Sequence, residues 1–201
     1  MIELVAAFLL TFAISKIIDK LYKNFSAELS FPAEIQSRSR FRKIILFAGI
    51  FLSERFFLEL PEPQNFYSTA AAIFLLVVTV TDFEQQIIFD KILLPFALLG
   101  IFATVQLNLP PANHLLASAV GGGFFLLVAI LTNGIGGGDI KFIACLGLWF
   151  GTEKLFWIVI CGMIFAGMVA LILILFGKAG RKDCFAYAPY FALTAVYFLI
   201  G

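Results

Sequence analysis

The chain has 201 residues, 62% of them hydrophobic and only 13% charged, with a mean hydropathy of +1.02. A soluble domain is roughly half apolar and a quarter charged, so this composition excludes an ordinary globular fold and indicates a polytopic membrane protein. The formal net charge of +1, with no basic cluster interleaved with aromatic residues, argues against a nucleic-acid partner.

Eight apolar stretches, near 2–18, 43–60, 66–82, 91–107, 113–132, 140–151, 154–177 and 184–200, predict an all-α protein of about eight transmembrane or membrane-embedded helices. They form a single membrane-embedded domain over 1–201. The first stretch has no basic n-region and no small-residue cleavage site, so it reads as a membrane helix and not as a cleaved signal. Residues 19–42 are the one polar segment of any size, a short cytoplasmic loop. The second stretch carries Glu54 and Arg55, and the third ends in Thr81-Asp82, with Phe83-Glu84 following. His114, the single histidine, opens the fifth and is expected at the outer interface. Gly121, Gly122 and Gly123 in the same stretch suit close helix packing.

The sixth stretch is preceded by Gly136-Gly137-Gly138-Asp139 and begins Ile140-Lys141. Trp149, Phe150 and Trp157 read as interface anchors, and Pro189 is expected to kink the last helix. Cys145, Cys161 and Cys184 lack CxxC spacing and read as buried free thiols.

Basic residues set the orientation. With the N-terminus outside, 12 of the 14 lysines and arginines fall on the cytoplasmic side, all but Arg55 and Lys154. Asp82 then closes the third helix at the cytoplasmic boundary, the chain crosses twice, and Asp139 opens the sixth helix at the same boundary.

Carboxylates beside hydrocarbon are costly unless paired or hydrated, and they commonly mark function. Two acids on one membrane face are the minimal equipment of an aspartic protease: one, ionised, takes a proton from water while the other, protonated, polarises the scissile carbonyl. Like charges in a poorly solvated site share a proton, so either aspartate can be the base. Gly136, Gly137 and Gly138 lack Cβ atoms and leave room for an extended substrate backbone; the plainer reading is a turn with Asp139 as a helix cap. Glu84 and Asp90 are candidates to attract a basic substrate segment, or else solvated loop charges. Lys141 either tunes the acid pair or anchors the interface.

Thr81-Asp82 with Glu84, Ile88, Asp90 and Pro95, then Gly136-Gly137-Gly138-Asp139-Ile140-Lys141-Phe142, then Phe185-Ala186-Tyr187-Ala188-Pro189-Tyr190, in that order, resemble the type IV prepilin peptidases, which are GxGD membrane aspartic proteases. The resemblance covers roughly 66–200. It implies that Asp82 and Asp139 are the catalytic pair. It also implies cleavage after a glycine, on the cytoplasmic face of the bacterial inner membrane, of the short basic leader of a prepilin or pseudopilin whose apolar helix stays in the lipid bilayer. Phe89 stands where members often carry proline, and Ala188 where glycine is frequent.

Many members also bear two CxxC pairs in a cytoplasmic insertion linked to N-methylation. Here 19–42 has no cysteine, so the expectation is a short, peptidase-only form that needs neither metal nor organic cofactor. A presenilin-like protease is disfavoured, because Thr81 precedes the first aspartate and Ala-Pro-Tyr stands near the end. The alternative outside the enzymes is a non-catalytic scaffold or carrier whose acids bind a cation or a basic partner segment.

Overall fold

The computed structural model describes residues 2–132, 134–177 and 186–200. These form helices α1 (Ile2–Asn24), α2 (Ile35–Arg38), α3 (Arg42–Phe57), α4 (Gln64–Gln85), α5 (Asp90–Gln106), α6 (Pro111–Thr132), α7 (Gly137–Leu175) and α8 (Ala188–Ile200), and no strand among the described residues. Three of them, α4, α6 and α7, are long and apolar enough to cross a membrane. The others fall short on length or carry charge: α3 has 16 residues, α5 has 17 and α8 has 13, while α1 holds Lys16, Asp19, Lys20 and Lys23.

The packing is inside-out relative to a soluble fold. α6 turns Leu116, Val120, Phe124, Leu127 and Leu131 outward, a continuous apolar face suited to acyl chains. Buried residues lie between helices instead. α4 is central, against α3, α5 and α8; α1 covers α3; α7 packs on α5, α6 and α8.

The sixth and seventh apolar stretches fall within α7, which is broken at Gly151 (φ 70°, ψ −178°). Its neighbours show the chain doubling back there. Gly147 lies against Ala117 and Ser118, Gly151 against Asn113 nearer the start of α6, and Leu155 against Gly121 further down it. A left-handed φ costs a side-chain-bearing residue about 1–2 kcal/mol, so glycine is the residue that allows the reversal.

The reversal strands backbone groups that a continuous helix would pair. The Leu148 carbonyl accepts from His114 Nδ1 (2.9 Å) and Thr104 Oγ1 (3.3 Å), and the Thr152 N–H donates to Asn113 Oδ1 (3.3 Å). His114 is therefore buried in this joint. Trp149 and Phe150 are buried too. Trp149 stacks on Phe96 at 5.3 Å and donates to the Phe96 carbonyl at 2.8 Å, while Trp157 does face outward. Gly121 and Gly122 meet α7 side chains closely, whereas Gly123 faces open space. Cys145 is a buried free thiol and Cys161 is half-buried; Cys184 and Phe185 lie outside the described residues.

Candidate active site

Asp82 sits in the last turn of α4, 5% exposed. The helix ends three residues later, where Gln86 takes a left-handed conformation (φ 51°) and its N–H bonds back to the Asp82 carbonyl at 2.8 Å. Asp82 Oδ2 accepts the Ala188 N–H at 3.1 Å, so the first amide of α8 is aimed at it. Such a helix-start donor suits a carboxylate, because the positive end of the helix dipole lies there.

Asp139 lies in the first turn of α7, half-buried. It is not the helix cap. Gly136 is the cap (φ −69°, ψ 145°), and the Asp139 carboxylate reaches back to hydrogen-bond the Gly136 backbone, as an acid at the third helical position does in a capping box. A Cβ on Gly136 would sit 3.3 Å from Asp139 Oδ2. A Cβ on Gly138 would come within 3.1 Å of Ile88 in the turn that follows Asp82, while one on Gly137 would meet nothing. The glycines thus serve by close approach; none of the three adopts a positive φ.

Asp139 lies close enough to Asp82 for its charge to act on it. Three helix ends converge on them: the last turn of α4 and the starts of α7 and α8. A buried acid beside a half-buried one can hold a single proton between them and a water at their mouth.

The remaining predicted residues are distributed differently from expectation. Glu84 is not a loop charge: it lies inside α4, 3% exposed, held by Arg42 and Tyr22. Asp90 and Lys141 pair with each other at 2.6–2.8 Å, both exposed, so the Lys141 ammonium goes to Asp90. Pro189 does not kink α8. It occupies the first turn, where a missing N–H costs nothing, and so starts the helix. Sequence reasoning passed over the Ala188 amide because it weighed side chains, and passed over Arg42 because its partner lies 42 residues away. Among the described residues no three His, Cys, Asp or Glu side chains are grouped as a metal site.

Residues 69–176, more than half of the chain and including both aspartates, match the type IV leader peptidase family. The chain belongs to that family. Three relatives, each described as a prepilin leader peptidase/N-methyltransferase, are similar to it. The protein of Bacillus subtilis (strain 168) is 29% identical over 126 residues, 61% of this chain and 50% of the relative. That of Neisseria gonorrhoeae is 34% identical over 128 residues, 60% and 43% respectively. That of Xanthomonas campestris pv. campestris is 26% identical over 138 residues, 65% and 48%. The chain spans about half the length of these curated relatives. No solved structure matches it. In this type IV leader peptidase family member the matched segment runs from the second turn of α4 to the end of α7; Ala188, which donates to Asp82, lies beyond it.

Proposed function

We propose that this chain is a membrane aspartic endopeptidase that removes the short basic leader of prepilin-like proteins, with Asp82 and Asp139 as the catalytic pair. The observation that carries the reading is the meeting of a buried Asp82 and a half-buried Asp139 at three converging helix ends. One aspartate, ionised, takes a proton from water as the oxygen attacks the scissile carbonyl carbon. The other, protonated, donates to the carbonyl oxygen, giving a neutral gem-diol. Return of a proton to the amide nitrogen breaks the C–N bond, releasing a carboxylic acid and an amine. Water and the acid pair suffice for this sequence.

An apolar groove of about 550 Å³ between α3, α4 and α8 supports a substrate that arrives with its helix in the bilayer. Its lining includes Phe83, Pro189 and Tyr190, the neighbours of Asp82 and Ala188. A cleft of about 400 Å³ on the other side of the site, bordered by Glu28, Asp90, Lys141, Gly137 and Gly138, suits the leader. There a leader lysine or arginine exchanges with Lys141 for Asp90. Glu84 is no longer a candidate for that role, since its carboxylate is filled by Arg42. The eight apolar segments are embedded in the bacterial inner membrane, with the site at the cytoplasmic face as the basic residues direct. The cysteine-free 19–42 segment supports a peptidase reading without the relatives' second named activity.

The test is the protein in liposomes with a prepilin-like substrate carrying a basic leader, a Gly-Phe junction and an apolar helix, its products weighed by mass spectrometry with S-adenosylmethionine present. Cleavage after the glycine with no added methyl is the expected result. A folded protein that leaves several such substrates intact overturns the assignment.

A further inference from the structure

Two residues past Asp82, a buried ion network joins three helices, and none of the chemistry above uses it. Arg42, at the start of α3 and 2% exposed, grips Glu84 of α4, 3% exposed, in a fork: Nε to Oε1 at 2.9 Å and Nη2 to Oε2 at 2.7 Å. Tyr22 of α1 donates its hydroxyl to Glu84 Oε2 at 2.9 Å, and Asp19 of α1 takes the remaining arm of Arg42. The same turn of α4 is held twice more. The fully buried Gln85 side chain accepts the Phe31 N–H at 3.0 Å, and Arg38 Nη1 reaches the Glu84 carbonyl at 3.4 Å.

Last turns of helices are where frayed, low-stability conformations concentrate. Residues two apart on a helix point about 200° from one another, so Glu84 faces α1 and α3 while Asp82 faces α7 and α8. A clamp on one side of the turn therefore fixes the rotation of the other.

We propose that Arg42 and Glu84 are positioning residues for Asp82, their buried fork setting the orientation of the last turn of α4 toward Asp139. The inference rests on the proposed peptidase reading for its consequence in catalysis, but the orientation itself can be read without activity. A neutral apolar cluster could hold three helices as firmly. What the guanidinium adds is a planar, two-point grip that fixes angle as well as distance, and a lysine ammonium cannot reproduce it.

The test is Arg42→Lys and Glu84→Gln in the full chain in liposomes, read in two ways. Steady-state cleavage should show kcat lowered by about ten- to hundredfold with KM within about twofold, the scale expected when a catalytic group is misplaced by about 1 Å. Spin labels on cysteines placed at positions 83 and 137, both exposed, should give a narrow distance distribution in the parent and a broadened or shifted one in the variants.

Unchanged kcat and an unchanged distribution overturn the proposal, as does a raised KM with unchanged kcat, which would make Glu84 a leader-binding residue. If the parent cleaves nothing, the peptidase reading falls, and the label distances alone decide whether the clamp orients α4. If either variant does not fold, Tyr22→Phe, which removes one hydrogen bond and no charge, should show the same pattern to a smaller degree; an unaltered kcat and distance there contradict it.

Discussion

At Asp82 a carboxylate is kept inside the protein with one backbone donor, the Ala188 amide, and a second acid across the gap. Asp139 is held from its own side by the Gly136 backbone, so the two acids are positioned by different helices and can be perturbed separately. Gly138 packs on the turn that follows Asp82. Its Cβ would crowd Ile88 at 3.1 Å, so Gly138→Val should push the start of α7 from the turn after Asp82 and lower kcat by about ten- to hundredfold. Steady-state kinetics on the folded variant checks this.

Asp90 stands apart from the chemistry, exposed and paired with Lys141. Asp90→Asn should raise KM for a basic leader severalfold and leave kcat within about twofold, because a binding contact equal in ground and transition states is lost. Such an exposed pair contributes little to stability, about 0–1 kcal/mol.

The helices themselves were legible from apolar runs, including the break near residue 151, because Gly151-Thr152-Glu153-Lys154 interrupts the hydropathy. How that break is built was not legible. The donors that rescue the Leu148 carbonyl come from His114 and Thr104, 34 and 44 residues distant, and no local pattern encodes such pairings. For the same reason His114 and Trp149 read as interfacial from sequence and are buried in the fold.

The joint makes two stability predictions, both read by thermal unfolding in detergent. Gly151→Ala should destabilise by about 1–2 kcal/mol from its φ alone, and further because the new Cβ lies 2.6 Å from Asn113 Nδ2. His114→Ala should cost about 1–3 kcal/mol as the Leu148 carbonyl loses its shorter partner, nearer the lower figure while Thr104 still reaches it.

Over the whole molecule, the order of three motifs singled out Asp82, Asp139 and the start of the last helix as a candidate site, and α4, α7 and α8 bring those ends together. The charges were harder to place. Glu84 reads from sequence as a substrate-attracting or loop charge and Arg42 as one of the basic residues of the cytoplasmic side, yet they form the most deeply buried ion pair among the described residues. Burial of a charge depends on the partner that neutralises it, which is a property of the assembled helices and not of a segment.

The most direct measurement compares parent, Asp82→Asn and Asp139→Asn in liposomes on one prepilin-like substrate, with folding checked by circular dichroism. The acid-pair account predicts cleavage by the parent and none by either variant, at equal helix content. Substantial cleavage by either asparagine variant would contradict it.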